Sequence, residues 1–533
     1  MSAGSEKQTR TPRGERPLLG AVSGAVAGFA ALAVAELVAA AVRPQAGPVV
    51  AVGGAAIDGA PTPVKEWAVR RFGTDDKLVL QLGILAVLAL FALVVGMVAV
   101  RHRRAGAAAV LLFGAVGAVA ATGRPDSTGA VDALPSAAGA LAGAVLLYVL
   151  AGRLTTGGDG PGDSSATARS GVDRRRFVVL AATAAVASAG AGALGRWLTS
   201  ARTRGAIASR DAVVLPAPAS AAEPVPKGAR LRVPGVSPFL TPVGDFYRVD
   251  TALVVPKVDA GTWRLRIHGK GVSRPVTLSF DDLLRRELIE RHITLTCVSN
   301  EVGGPYAGNA RWTGVRLAEL LAECGVAPPS KGGPADQLVA RSVDGMTLGS
   351  PVEELMDGRD ALLAVGMNGE PLPFRHGFPV RMVVPGLYGY VSACKWIEDI
   401  ELTTFDDHEP YWVQRHWARR APIKTQSRID TPKPFARPRS GTVMVAGVAW
   451  AQHRGIHRVE LRIDDGPWRN ADLAAEDTRD TWRQWSIPWQ ATRGSHTLTV
   501  RATDGTGELQ TSQRTRTVPD GASGWHSVVV DVD

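Results

Sequence analysis

The chain has 533 residues, room for three or four units at roughly 100–200 residues each, which excludes a single small domain. Apolar residues make up 45% and charged residues 21%, below the ~25% usual for soluble domains, and with a mean hydropathy of +0.04 part of the chain is too apolar for a soluble enzyme. The formal net charge of +10 is scattered and flanks apolar runs instead of forming one stripe, which excludes a nucleic-acid partner and points to a membrane.

Five nearly uncharged stretches, 18–42, 78–100, 105–122, 133–152 and 177–195, approach or exceed the ~20 residues needed to cross a bilayer core. The second is bounded by Lys77 and Arg101, like interfacial stops, and Glu36 is the one charge inside a span. With the N-terminus inside, the cytoplasmic segments carry Lys7, Arg10, Arg13 and Arg16, then Arg101, Arg103 and Arg104, then Arg153, Arg169 and Arg174 to Arg176. The outer segments hold half as many: Arg43, Lys65, Arg70, Arg71, Lys77 and Arg124. This bias predicts a multi-pass protein of the cell membrane with everything after Gly195 on the extracytoplasmic side. Asp173-Arg174-Arg175-Arg176-Phe177-Val178 looks like an internal twin-arginine export motif, or else a plain positive-inside cluster. Export of a folded domain is useful when a cofactor must be inserted in the cytosol first.

Residues 159–170 form a Gly/Ser/Asp linker, and 201–226, rich in Ala and Pro, are expected to be a flexible tether. The soluble part opens with a strand at 263–269 and a short helix capped by Ser279, followed by a β-rich run over 292–297. That run ends at Cys297 and is followed by a Gly-rich loop, 298–305. An amphipathic helix covers 317–324, strands cover 380–384 and 397–402, and Gly386-Leu387-Tyr388-Gly389-Tyr390 is a loop between them. Short alternating runs at 443–450, 456–463, 482–487, 496–502 and 508–517, with Asp465-Gly466 and Asp504-Gly505 turns, predict an antiparallel sandwich, Ig-like in the broad sense. The expected domains are a transmembrane region (1–200), a linker (201–226), a catalytic domain (227–430) and the sandwich (431–533).

The cysteines, Cys297, Cys324 and Cys394, are too few for a disulfide framework, and none stands in a spacing for zinc, an iron–sulfur cluster or c-type haem. No histidine lies inside a span to ligate a b-type haem, so the chain is expected to carry neither haem nor iron–sulfur cluster. Cys297 ends a strand and opens a Gly-rich loop; it is either a buried structural thiol or a soft thiolate presented to a transition metal.

Six segments occur in the order Phe246-Tyr247-Arg248, Leu295-Thr296-Cys297-Val298-Ser299-Asn300, Arg311-Trp312-Thr313-Gly314-Val315, Gly366-Met367-Asn368-Gly369-Glu370-Pro371-Leu372-Pro373, His376-Gly377-Phe378-Pro379-Val380-Arg381, and Lys395-Trp396-Ile397. Together they resemble the sulfite oxidase family of molybdopterin enzymes, and the tail, with Trp482-Arg483-Gln484-Trp485, resembles that family's Ig-like dimerisation domain. The apolar runs predict an all-α transmembrane bundle of about five spans, and the resemblance, covering roughly Phe246–Asp533, implies an α+β molybdopterin domain and a C-terminal all-β Ig-like sandwich. It makes Cys297 the thiolate on molybdenum, with the pterin dithiolene supplying the other sulfurs. It gives Tyr247, Arg248, Ser342, His376, Arg381, Cys394 and Lys395 to the cofactor, Arg381 and Lys395 suiting its phosphate, and Arg248 also to catalysis. It implies a small-molecule substrate, a separate electron-transfer partner (a cytochrome or quinone-linked carrier) and a homodimer through the C-terminal sandwich, where Trp450, Trp468, Trp482, Trp485 and Trp489 supply more aromatic area than one small core needs, or else simply pack internally.

The departures bear on substrate. Sulfite-oxidising members place arginines after the cysteine motif and near the end of the dimerisation domain, where this chain has Glu301-Val302 and Pro519-Asp520-Gly521. If Glu301 faces the metal, a neutral S- or N-oxide is favoured; if it pairs with Arg311, an anion fits. Tyr306, Tyr388, Tyr390 and Tyr411 are the candidate pocket tyrosines. Sulfite-type oxidation is the nominal expectation, with oxide reduction, or a non-catalytic anchored binding protein, as alternatives.

Overall fold

The computed structural model describes residues 15–61, 64, 67, 71–72, 76–155 and 169–533. Lys7, Arg10, Arg13, Lys65, Arg70 and the expected linker up to residue 168 lie outside the described residues, as do the side chains of Arg174 and Arg175. The chain divides into two compact units, Met1–Arg204 with Ala252–Val254 and Gly205–Thr251 with Val255–Asp533.

The first unit is helical: α1 (Glu15–Ala41), α2 (Pro48–Gly59), α3 (Asp76–Ala99), α4 (Arg103–Thr122), α5 (Leu134–Thr155) and most of α6 (Arg169–Asp211). Among the described residues, five helices are long and apolar enough to cross a membrane: Pro17–Ala41, Lys77–Ala99, Arg103–Thr122, Ala130–Leu154 and Arg176–Asp211. Helix α2, 12 residues and too short to span, was not expected. Small residues let α1 pack closely on two sides. A Cβ on Gly24 would lie 1.9 Å from Ala92 O of α3, and one on Gly139 of α5 would lie 2.4 Å from Ala31 O. Arg43 pairs with Asp126 (2.8 Å) and Asp132 (2.6 Å), and Arg124 with Asp126 (2.8 Å), joining the end of α1 to the α4–α5 connection. Glu36 is exposed on this unit.

Two expectations about the tether fail. Helix α6 runs on to Asp211 because 196–211 hold good helix formers and no Pro. Further on, Ala219 N donates to Leu288 O (2.8 Å) and Glu290 N to Ser220 O (2.8 Å), so the segment is pinned to a sheet edge.

The second unit begins with β1 (Arg264–Gly269), β2 (Val276–Ser279), α7 (Phe280–Leu284), β3 (Leu288–Thr296), β4 (Ala307–Arg316), α8 (Leu317–Glu323) and β5 (Gln337–Ser342). It continues with β6 (Thr347–Pro351), α9 (Val352–Leu355), β7 (Leu362–Met367), β8 (Glu370–Pro371), β9 (Arg381–Val383), α10 (Gly389–Ser392) and β10 (Ile397–Thr403). These strands make two mixed-order sheets, β2-β1-β10-β5-β6 and β3-β4-β7-β8 with β9 on β7; β1–β10 is a parallel pair. The expected Ser279 cap is a full capping box: its Oγ accepts from Asp282 N while Ser279 N donates to the Asp282 carboxylate.

The C-terminal strands are β11 (Gln426–Thr431), β12 (Gly441–Trp450), β13 (Ile456–Ile463), β14 (Arg469–Asn470), β15 (Asp472–Leu473), β16 (Arg483–Ala491), β17 (Gly494–Asp504) and β18 (His526–Val532). They form two antiparallel four-stranded sheets, β11-β12-β16-β15 and β14-β13-β17-β18. Strand β16 buries Trp485, Ile487, Trp489 and Ala491 at a period of two. The expected strand at 508–517 does not form: its alternation is polar and of its side chains only Gln510 is buried. The place beside β17 goes to β18, which turns Val528, Val530 and Val532 inward. Trp450, Trp482, Trp485 and Trp489 are all buried, so this aromatic area is spent inside the chain.

Candidate functional site

Strand β3 is buried along almost its whole length and delivers Cys297 to a loop that closes on itself. Cys297 N donates to Tyr306 O (2.9 Å), Asn300 N to Cys297 O (3.1 Å) and Tyr306 N to Asn300 Oδ1 (2.7 Å). Behind it, Gln452 Nε2 donates to Thr294 O (2.9 Å) and Thr296 Oγ1 (3.1 Å), and Trp482 N to Thr294 Oγ1 (2.8 Å). The C-terminal sheets therefore hold the strand that presents the cysteine. Cys297 Sγ lies 2.9 Å from Ser299 Oγ. Burial pushes its thiol up, while hydrogen bonding from Ser299 and the charge of Lys395 pull it back.

Cys297 forms part of the wall of a cavity with an empty volume of about 940 Å³, mouth included. Tyr247, Ser342, His376, Arg381, Cys394 and Lys395 all line it with Cys297, from five separate chain segments. Arg248 does not; it is one-third exposed, with Nε 3.5 Å from Asp250 Oδ2. Ser342 ends β5, His376 ends a 3₁₀ turn (Phe374–His376), Arg381 opens β9, and Cys394 and Lys395 lie between α10 and β10. Gly377, at φ +108°, joins two of these: a Cβ there would be 3.0 Å from Arg381 Cβ and 3.1 Å from Lys395 Cβ.

The electrostatics centre on Arg381. It is 5% exposed, its Nη1 donates to His376 O (3.3 Å) and its Cζ lies 5.0 Å from the Trp312 ring centre. Its buried Nε has no hydrogen-bond partner among the described residues. Burial pushes its pKa down to about 10. Burial, then the charge of Arg381, pushes His376 down to about 3, so the ring is neutral and Nε2 donates to Val243 O (3.2 Å). Lys395 Nζ pairs with Asp250 Oδ2 at 2.9 Å. Burial pushes the Tyr247 phenol and the Cys394 thiol upward, leaving both neutral at pH 7.

Other expectations resolve here. Glu301 is exposed and does not line the cavity, and Arg311 Nε faces Glu290 Oε1 (3.4 Å), so the Glu301–Arg311 pairing is not formed. Of the four candidate tyrosines Tyr390 lines the cavity, but its hydroxyl donates to Ala418 O (2.7 Å). Sequence reading missed Asp250, Asp344, Trp412 and Trp417 on the wall. Two tryptophans within six residues, in a chain that is 6% aromatic, were the available signal for the last pair.

The donor set fits an anionic cofactor carrying its own metal ligands. Among the described residues no three His, Cys, Asp or Glu side chains are grouped to hold a metal unaided. Cys297 offers one sulfur, and Arg381 Nε is a buried donor lacking an acceptor.

A family model, "Oxidoreductase molybdopterin binding domain", matches residues 252–412, a range that includes Cys297, Ser342, His376, Arg381, Cys394 and Lys395. Mitochondrial sulfite oxidase of Rattus norvegicus is 29% identical over 290 residues, 47% of this chain and 53% of that protein. Nitrate reductase [NADH] 1 of Oryza sativa subsp. japonica is 32% identical over 196 residues, 32% of this chain and 21% of that protein. The chain spans about half (53%) the length of the first of these relatives. Among solved structures, the sulfane dehydrogenase SoxCD of Paracoccus pantotrophus matches with a TM-score of 0.48 and 24% identity, covering 56% of this chain and 84% of that one.

Proposed function

We propose, for a chain whose residues 252–412 are a molybdopterin-binding oxidoreductase domain of the sulfite oxidase family, that it is a membrane-anchored enzyme transferring an oxygen atom to or from a small substrate. The observation that carries this is the buried, unpartnered Nε of Arg381, a residue lining the cavity that Cys297 also lines. Cys297 is the metal thiolate, and Arg381 and Lys395 hold the phosphate, with Tyr247, Ser342, His376 and Cys394 around the pterin. When bound, the molybdenum cofactor supplies a two-electron centre and an exchangeable oxygen. The chain's own groups do the rest. Arg381 gives the phosphate a charge-assisted donor already desolvated, so no solvent shell is lost at binding. His376, held neutral, keeps its Nε2 proton on Val243 O and adds no charge. Cys297, whose thiol burial pushes up, would hold the metal through its sulfur as a thiolate, with the proton lost to solvent.

The electrons pass to or from a separate carrier. The apolar helices are the anchor, the catalytic unit lies on the extracytoplasmic side, and 173–178 act as an internal twin-arginine signal. The C-terminal sheets form the Ig-like module of a homodimer, supported by the half-buried Trp468–Trp525 pair (5.0 Å) under Arg462 and Arg501.

The test is Cys297→Ser in the full-length chain. Wild-type protein should carry about one molybdenum per chain by elemental analysis, and the variant should stay folded but lose turnover at least 10³-fold. Full activity in the variant overturns the assignment, and protein without molybdenum from a molybdenum-replete host favours a non-catalytic binding protein.

A further inference from the structure

The helical unit holds a cavity of its own, with an empty volume of about 1340 Å³, mouth included. Its walls come from α1, α2, α3, α4 and α5. Along α1 they run from Gly24 to Ala35, along α3 from Ile84 to Val95 and along α5 from Ser136 to Leu147. Each stretch is eleven residue steps, about 16 Å at 1.5 Å per residue, so the cavity is elongated along the helices. Phe29, Leu85 and Leu93 line it and are exposed, marking where it opens on the outside of the unit.

Of the lining side chains only Ser136 is polar, and none is charged. Glu36 is exposed and does not line the cavity. Ser136 is 3% exposed, and among the described residues of the helical unit its Oγ is the one buried side-chain nitrogen or oxygen without a hydrogen-bond partner. Other hydroxyls of these helices turn to the carbonyl four residues back: Ser23 Oγ donates to Leu19 O (2.9 Å), Thr122 Oγ1 to Ala118 O (3.0 Å) and Thr199 Oγ1 to Gly195 O (3.0 Å). Ser136 is the third residue of α5, so the residue four back, Asp132, precedes the helix. Gly117 of α4 leaves the hydroxyl its room, since a Cβ there would lie 2.8 Å from Ser136 Oγ. Asp132 pairs with Arg43 at 2.6 Å, which puts Ser136 at the charged end of these helices and the rest of the cavity among apolar side chains.

These features define the occupant. An unsatisfied hydroxyl in an apolar wall costs free energy until an acceptor meets it, so the occupant carries an uncharged oxygen at one end. A carboxylate or phosphate would be buried without a counterion, because the wall carries no charge and Arg43 and Arg124, at the Ser136 end, are already paired with aspartates. Behind the oxygen the cavity takes about 16 Å of hydrocarbon, passing Phe91 and Phe113, whose ring centres lie 4.6 Å apart.

We propose that this cavity binds a prenylated quinone, one ring carbonyl accepting from Ser136 Oγ and the isoprenoid tail lying between α1, α3 and α5. The choice of a redox-active head rests on the oxygen-transfer reading above, which needs a separate two-electron carrier. For a substrate R the overall change is R + H₂O + Q → RO + QH₂: the oxygen comes from water, and its two protons and the two electrons of R end on the quinone. In the reducing direction the quinol supplies both.

The experiment places the full-length chain in phosphatidylcholine nanodiscs with a naphthoquinone bearing four isoprene units. Quinone held in excess of protein-free nanodiscs is measured by extraction and absorbance. Wild type should show a saturable excess of about one quinone per chain, and Ser136→Ala should raise the half-saturating mole fraction roughly three- to tenfold. Val52→Trp, which fills the cavity from α2, should remove the excess. Dioleoylglycerol in about tenfold molar excess, an uncharged lipid with carbonyls but no redox chemistry, should leave the quinone in place. No saturable excess in wild type, an unchanged half-saturation in Ser136→Ala, or displacement by the diacylglycerol overturns the proposal. Molybdenum analysis of the same samples keeps the two layers apart. Ser136-dependent quinone binding by a chain without molybdenum sinks the oxidoreductase reading and leaves the site, whereas a molybdenum-replete chain with no such binding sinks the site alone.

Discussion

Arg381 is a cation that the chain itself does not neutralise: no carboxylate lies within ion-pair distance of it among the described residues, and a backbone carbonyl and the Trp312 face are its partners. A buried charge without a counterion costs folding energy, and its value comes from whatever anion is later bound. Arg381→Met should therefore leave the cofactor-free protein at least as stable as wild type, while molybdenum content falls tenfold or more, the equivalent of one lost charge-assisted hydrogen bond of about 1.5–3 kcal/mol. Thermal unfolding of the cofactor-free chain beside metal analysis of the loaded one checks both halves; a large loss of stability would make Arg381 a structural residue. The same residue shows what sequence could and could not supply. The family motif placed Arg381, Lys395, Cys297 and His376 in one site, and the cavity gathers them. Neither motif nor periodicity could show that Glu301 turns outward, because that depends on a loop closed by Asn300 and Tyr306.

At the scale of elements, the Cys297 loop is seated on β18. A Cβ on Gly303 would lie 2.2 Å from the His526 ring, and His526 Nδ1 accepts from Ile429 N at 3.0 Å. Burial, then the charges of Arg428 and Arg514, pushes His526 down to about 4, and protonation at Nδ1 would remove its acceptor. An unfolded histidine titrates near 6.5, so the folded-state pKa is depressed. The contribution of neutral His526 is thus complete above about pH 6.5 and is lost as pH falls toward 4. His526→Asn keeps an acceptor and cannot titrate, so the Tm advantage of wild type over this variant should shrink between pH 7 and 4.5. A pH-independent gap would refute the linkage. Strands with a true apolar face, such as β16, were legible from alternation alone. The strand at 508–517 was not, because alternation of Gln, Thr, Ser and Arg has no face to bury, and β18 was overlooked although its three inward valines carried the signal. The last turns of α6 were hidden by Ala-rich composition, which suits a tether and a helix equally.

For the whole molecule, the arrangement of the helical unit bears on sidedness. Arg103 at the start of α4 lies 5.5 Å from the Tyr148 ring centre on α5, placing it at the end of the unit shared with Arg101, Arg104 and Arg153. The opposite end carries Arg43, engaged with Asp126 and Asp132, and Arg124, engaged with Asp126. On the lysine and arginine count alone, the proposed orientation has the Arg101 end in the cytoplasm. In that proposed orientation, an odd number of crossings would leave the C-terminus outside. Full-length chains ending in alkaline phosphatase should be enzymatically active at the cell surface, and those ending in green fluorescent protein, exported already folded by the proposed twin-arginine route, should fluoresce there and not in the cytosol. Bright cytosolic fluorescence with silent phosphatase would reverse the orientation. Replacing the pair by Arg174→Lys and Arg175→Lys discriminates the route: if 173–178 act as a twin-arginine signal, the four preceding helices still insert but the molybdenum-loaded unit stays inside, whereas a plain retention cluster tolerates lysine because the positive charge is kept. Protease protection of the C-terminal unit in the double variant, with its metal content intact, is the expected outcome, because a folded, cofactor-bearing unit that loses its carrier has no unfolded form to thread across the bilayer.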